Sequence, residues 1–173
     1  RPVVDREWVY LLEVKPGKKE PLADKVSSLW YVGPDKLLVE ERDDTASNVA
    51  GAVTKIWTAD FSAATNLLDG PYDQVATTPT LEQAYLPAVN GTVPANPAGV
   101  TPGAKSTCAD VNALLQAAGF VNVKLEGIAV LRSKGETTLA VLNDNDFDLA
   151  HVLDGSQPEL RSQLDLLPLT GCS

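Results

Sequence analysis

Apolar and polar positions alternate with a period of two through much of the first third of the chain, the pattern of extended segments with one face buried. In Glu7 to Val14 (EWVYLLEV), Trp8, Tyr10, Leu12 and Val14 share one side, which predicts a first strand ended by Pro16-Gly17. Lys25 to Val32 (KVSSLWYV) and Lys36 to Arg42 (KLLVEER) flank the turn Gly33-Pro34-Asp35 and predict a hairpin. Val53 to Phe61 (VTKIWTADF) alternates again. Four strands joined by short loops, without helices between them, make an antiparallel meander.

From Leu68 to Ser106 the alternation stops, and Thr78-Pro79, Val93-Pro94, Asn96-Pro97 and Thr101-Pro102 punctuate the chain too often for a long element. This proline-rich stretch reads as an insertion reaching, with the helix after it, over about 68–120. Thr80-Leu81-Glu82-Gln83 has capping-box spacing, so a short helix is expected from Leu81 to Leu86, stopped by Pro87. A stronger helix follows, with Thr107 as cap, Asp110 in the first turn, an apolar stripe of Val111, Leu114, Leu115 and Ala118, and Gly119 as terminator. Strand character resumes in Val121 to Leu131 and Thr137 to Phe147, a second hairpin about Ser133-Lys134-Gly135-Glu136. Ser156-Gln157-Pro158-Glu159 repeats the capping-box pattern before Leu160, Leu164 and Leu167 and predicts a last short helix.

The expected class is therefore all-β, mainly an antiparallel meander with a partly helical insertion. About six strands fill at most two four-stranded propeller blades, whereas a closed propeller takes at least four. Either the strands form a small sandwich, or another polypeptide pairs their edges, because open apolar edges aggregate.

Composition supports a folded domain. The chain has 173 residues, 44% of them apolar and 21% charged, enough for an ordinary core. Its net charge of −9 repels phosphate backbones and anionic lipid, so neither nucleic acid nor membrane is an expected partner. No apolar run approaches the roughly 20 residues of a bilayer span. Without Met, and starting at Arg1-Pro2-Val3-Val4, the sequence reads as a proteolytically processed, mature product. Cys108 and Cys172 form an even pair without CxxC spacing, and with His151 the only histidine a zinc site is excluded in favour of a disulfide. Asn90-Gly91-Thr92 is a glycosylation sequon, which agrees with export to an extracellular or periplasmic space.

Nucleophilic catalysis has little support, since there is no GxSxG elbow and one imidazole only. Gly99 to Ser106 (GVTPGAKS) has Ala104 where a phosphate-binding loop needs glycine. Acidic clusters carry more. In Asn143 to Asp148 (NDNDFD), an extended backbone sets Asp144, Asp146 and Asp148 on one side, hard oxygen ligands of the kind Ca²⁺ takes, although the spacing is not that of an EF-hand. A polar strand end whose Asp and Asn bond their own backbone explains the same residues. In Glu40-Glu41-Arg42-Asp43, Glu41 and Asp43 share a side with Leu37 and Val39 and are drawn inward, where a carboxylate needs a cation or donors, such as Arg42. A solvated strand end is the alternative. Glu126, inside an apolar strand and followed by Gly127, is either a hydrogen-bond hub or a site residue.

With those three places in view, the sequence resembles the phytase-like family with esterase-like activity, mostly exported β-propeller proteins. The matching pieces are Val32 to Val39 (VGPDKLLV) running into Glu41-Arg42-Asp43, then Thr54 to Ala64, Glu126 to Ala129, and Leu139 to Phe147, in order. The resemblance implies that the whole chain, 1–173, is the C-terminal portion of one such domain, a partial propeller whose remaining blades come from a companion chain, cut from the same precursor or separately made. It also implies a secreted, metal-assisted hydrolase acting on a small phosphorylated or ester substrate. In this scheme Glu41, Arg42 and Glu126 are catalytic, while Asp144, Asp146 and Asp43 hold Ca²⁺. A noncatalytic propeller that binds or assembles, with a structural calcium, is the alternative.

Overall fold

The computed structural model describes residues 3–15, 21–73, 80–85, 96–122, 124–144, 162–170 and 172. Seven strands and two helices are assigned among them: β1 Lys25–Gly33, β2 Lys36–Arg42, β3 Thr54–Asp60, α1 Leu81–Tyr85, β4 Ala104–Asp110, α2 Val111–Ala118, β5 Leu125–Ser133, β6 Glu136–Asn143 and β7 Leu164–Pro168. They form a four-stranded sheet, β1-β2-β3-β4, and a three-stranded sheet, β5-β6-β7. The fold is all-β and mainly antiparallel, and neither sheet closes into a barrel or propeller among the described residues.

The chain divides into two compact units. The first comprises Arg1–Leu22, Gly33–Lys36 and Ala59–Lys105, the second Ala23–Val32, Leu37–Thr58 and Ser106–Ser173. In the first, Trp8 stacks on Phe61 with ring centroids 4.9 Å apart, and Lys105 Nζ sits 4.8 Å from the centre of the Tyr10 ring. The strand expected over Glu7 to Val14 does not form; only Val14 makes a bridge, with Pro21. The reason lies in where its backbone groups bond. Glu7 carbonyl accepts from Leu67 N–H at 2.8 Å, Val9 carbonyl from Gly103 N–H at 2.9 Å, and Leu11 carbonyl from Lys105 Nζ at 3.1 Å. Groups from separate parts of the chain thus satisfy the segment one at a time, so no ladder is needed. The capping box at Thr80 is present: Thr80 N–H donates to Gln83 Oε1 at 3.0 Å and Gln83 N–H to Thr80 Oγ1 at 3.3 Å. The helix it starts is described over Leu81–Tyr85, and the expected end at Leu86 and Pro87 lies outside the described residues.

In the second unit the core is built by Leu38 and Ile56 of the first sheet, Val111 and Leu115 of α2, and Leu125, Ile128, Leu139, Val141 and Leu167 of the second. Trp30 and the Cys108–Cys172 disulfide, Cα atoms 5.0 Å apart, pack against it. Two expectations fail here. Thr107 does not cap α2, because Ala104–Asp110 is strand β4; Asp110 is the cap, with extended backbone and its carboxylate accepting from Ala113 N–H at 3.0 Å. Gly119 ends the helix in the left-handed conformation, φ 76°, as its sequence position predicts. The second correction concerns the last helix. Leu164–Pro168 is β7, since Asp165 and Leu167 turn inward at every second residue and pair the otherwise open edge of β6. The rest of that expected helix, before 162, lies outside the described residues.

Both faces of the three-stranded sheet are mainly apolar. Ile128, Val130, Leu139, Val141 and Leu167 face the core. The opposite face presents three cross-strand rows: Gly127, Leu142, Leu164; Ala129, Ala140, Leu166; Leu131, Thr138, Pro168. No charged side chain stands in these rows, and Leu131, Leu142, Leu164 and Leu166 are exposed. An antiparallel sheet with one wet face alternates apolar and polar residues; this one has the make-up of a sheet covered on both sides.

Candidate functional site

The residues nearest to a site lie where β2 ends and β5 begins, within the second unit. The last four residues of β2, Val39, Glu40, Glu41 and Arg42, are all buried. Strand alternation sends Glu40 and Arg42 to the face of Leu38, while Glu41 shares the face of Val39. The expectation that Glu41 is drawn inward agrees with its burial; that Glu40 is equally buried follows from a strand covered on both faces.

Arg42 is 3% exposed and anchors the arrangement. Its Nη2 donates to Glu126 Oε1, across 84 positions of sequence, and its Nη1 donates to Asp44 Oδ1 at 2.5 Å and to the Asp43 carbonyl at 3.2 Å. Asp44 also accepts from Lys25 Nζ at 2.6 Å, and these two donors hold its carboxyl below the usual carboxylate range. Glu126 is brought to Arg42 by an irregularity of the ladder. Leu125 pairs with Asn143 and Gly127 with Leu142, so Glu126 is the extra residue of a β-bulge, which re-aims its side chain. That carboxylate is 40% exposed and so meets both Arg42 and solvent. A β-carbon on Gly127 would lie 3.4 Å from Leu142 Cβ, an ordinary packing contact, so space does not require glycine beside the bulge.

Glu40 is the residue that sequence reasoning passed over. It is fully buried, and neither carboxylate oxygen has a hydrogen-bond partner; Arg42 Nε is equally without one. Burial pushes the Glu40 carboxyl up to about 8; Arg42 opposes the shift and Glu126 adds to it. At neutral pH Glu40 therefore carries a proton, leaving Arg42 positive charge to Glu126 and Asp44. The available signal was its two-residue spacing from both Leu38 and Arg42, which puts all three on one face.

The remaining expected site residues divide plainly. Asp43 Oδ1 accepts from Thr45 N–H at 3.0 Å, the local turn bond open to any Asp at a strand end. Asp144 follows the end of β6, where its N–H donates to the Lys124 carbonyl at 2.9 Å. Asp146 and Asn90 lie outside the described residues. Among the described residues no three His, Cys, Asp or Glu side chains come together as a metal-holding group; the expected calcium set includes Asp146, which lies outside them. Nor is any helix among them long and apolar enough to cross a membrane.

A surface carboxylate oriented by a buried guanidinium, beside a buried neutral carboxylic acid, can hold and polarise a water molecule and exchange protons with it. No curated protein and no solved structure matches the sequence. A family model does, over residues 2–147, under the description "Phytase-like: Esterase-like activity of phytase". Those residues include β2, the bulge at Glu126 and the whole of β6, and on that match the chain belongs to the phytase-like family with esterase-like activity.

Proposed function

We propose that the chain contributes the water-activating carboxylate of a secreted ester hydrolase. The observation that carries this reading is the Arg42–Glu126 pair: a buried guanidinium fixes a carboxylate that still reaches solvent. Glu126 orients the attacking water and takes its proton as the water oxygen adds to the ester carbonyl; the tetrahedral intermediate then collapses, the bond to the alcohol oxygen breaks, and Glu126 returns the proton to the departing alcohol. Arg42 is a positioning residue, since its Nη groups are occupied by Glu126, Asp44 and the Asp43 carbonyl. Export is consistent with the disulfide, which persists in oxidising compartments.

Charge favours a neutral carboxylic ester over a phosphate monoester. Asp24, Asp43, Asp44 and Glu126 outnumber Lys25 and Arg42, and a phosphate dianion would be repelled unless a cation intervened. Phosphate-ester hydrolysis with Ca²⁺ on Asp43, Asp144 and Asp146 therefore stands behind the carboxylic ester here, and no step is routed through a metal. The test is hydrolysis of p-nitrophenyl acetate and p-nitrophenyl phosphate by the wild type and Glu126→Gln. Glutamine keeps an acceptor for Arg42 but cannot take a proton, so acetate hydrolysis should fall by about 10²–10³-fold. An unchanged rate removes Glu126 from the mechanism.

One observation favours a second reading, a noncatalytic binding or assembly module. The contacts among Lys25, Asp44, Arg42 and Glu126 form a connected ion-pair network of the kind that braces a strand end. Absence of turnover on either ester in the wild type, with a lowered melting temperature in Glu126→Gln, selects it. On either reading, a companion polypeptide that supplies further blades would cover the apolar rows on the outer face of β5, β6 and β7.

A further inference from the structure

β7 forms one margin of the sheet β5-β6-β7 and leaves a strand edge open. Leu169 N–H donates to the Thr137 carbonyl at 3.0 Å and Asn143 N–H to the Gln163 carbonyl at 3.3 Å, in the same register that sets Leu139 opposite Leu167 and Val141 opposite Asp165. Bonded and non-bonded pairs alternate along an antiparallel ladder, so Asp165 and Leu167 bond β6, while the backbone groups of Leu164, Leu166 and Pro168 point the other way. None of these three has a further hydrogen bond among the described residues. Their side chains are exposed, Leu164 at 61% and Leu166 at 56%. Folded chains block such edges with charges, bulges or a cover, because an open edge recruits another strand. Here the register is regular and the edge-directed residues carry no charge.

The strand that fits this edge is its own copy. Set antiparallel against itself with Leu166 opposite Leu166, β7 is self-complementary across a two-fold axis. The two Leu166 residues exchange N–H and carbonyl bonds, and Leu164 N–H of each copy meets the Pro168 carbonyl of the other. Proline has no N–H to return, so the Leu164 carbonyl stays with water at the ends of the joint. Leu166 then lies beside Leu166, and Leu164 beside Pro168, on the outer side; on the inner side Asp165 faces Leu167. Other registers are worse. A slip one way opposes Asp165 with Asp165, a like-charge pair, and a slip the other way sets each Leu166 against a proline and loses the exchanged bonds. We infer that β7 is a homodimer interface: two copies join edge to edge and continue β5-β6-β7 as one sheet through both. The inference is independent of the hydrolase reading, because it uses none of the residues around Arg42, and the joint takes the edge of the sheet while leaving its outer face free.

The experiment is sedimentation velocity of the full chain at rising concentration, with Leu166→Pro and Leu166→Ala beside the wild type. The wild type should form a concentration-dependent dimer. Proline removes the edge-directed N–H at 166 and leaves the ladder to β6 intact, since that N–H takes no part in it; dimerisation should weaken by about tenfold or more. Alanine keeps the N–H and should weaken the dimer less than proline does. If Leu166→Pro does not fold, amide exchange in the wild type decides. Leu164 and Leu166 N–H should be protected in concentrated solution and exchange fast on dilution, while Asp165 and Leu167 N–H, bonded to β6, stay protected in both. A wild type that remains monomeric up to about millimolar concentration overturns the inference. So does a dimer that proline and alanine weaken equally, which places the contact on the outer face, or exchange at Leu164 and Leu166 that ignores concentration.

Discussion

Glu40 shows how far one side chain departs from its solution chemistry when burial comes without donors. Its carboxyl is raised from 4.5 to about 8 in the folded chain, mainly by burial. Below 4.5 both folded and unfolded chains bind the proton and the group exerts no effect. Between 4.5 and about 8 the unfolded chain gives up the proton while the folded chain keeps it, so stability falls as pH rises, by about 1.4 kcal/mol per unit before relaxation. Above that window both forms are ionised and the loss levels off. Glu40→Gln keeps the shape and removes the titration. The variant should lose less stability than the wild type between pH 5 and 8 in urea melts, and equal slopes would mean that Glu40 does not carry the proton. The sequence places Glu40, Glu41 and Arg42 on an extended segment, but it cannot report a raised carboxyl. That shift depends on what covers the strand, and the covering residues are distant in sequence.

At the level of elements, local signals succeeded where the chain supplies its own punctuation. The Pro34-Asp35 and Lys134-Gly135 turns, the Thr80 capping box and the Gly119 stop all form as their residue types dictate. Gly119 allows a clean test. Nothing lies within 4 Å of a β-carbon built on it, so Gly119→Ala meets only the left-handed backbone penalty. A loss of about 1 kcal/mol is expected, read as a lower denaturant midpoint with an unchanged m-value. Signals failed where pairing, not propensity, decides. Glu7 to Val14 alternates like a strand but has no partner strand, and Leu164–Pro168 follows a helix-start pattern yet pairs with β6. Ala104–Asp110 has weak strand character and sits beside prolines, but it takes the edge position next to β3.

The whole molecule adds constraints that no single element carries. The Cys108–Cys172 disulfide closes a loop of 64 residues within the second unit, and its Cys108 packs on the core. Cys108→Ser with Cys172→Ser should lower stability by about 4 kcal/mol on the loop-entropy account, measured against the wild type without reductant. A difference below 1 kcal/mol would mean that the unfolded chain is already confined. The outer face of β5, β6 and β7 makes the other prediction. Leu164 and Leu166 are exposed, so Leu164→Lys with Leu166→Lys should change unfolding stability by less than about 0.5 kcal/mol, as surface substitutions do. The same change should reduce concentration-dependent association in light scattering, since it places charge on an uncovered apolar sheet. Association that persists unchanged assigns the contact to another surface.

Period-two alternation, turn residues and cap residues act over a few positions, so the linear chain alone determined the class of fold, three of its strands near their true ends and the termination of α2. The pair of cysteines and the family motifs were legible for the same reason, as residue types in order. Tertiary structure decided which extended segments found partners, that Glu126 bulges toward Arg42, and that Glu40 is buried without a partner. Each of these depends on residues tens of positions apart meeting in a low-dielectric interior, where burial and geometry, which no local pattern encodes, set the free energy.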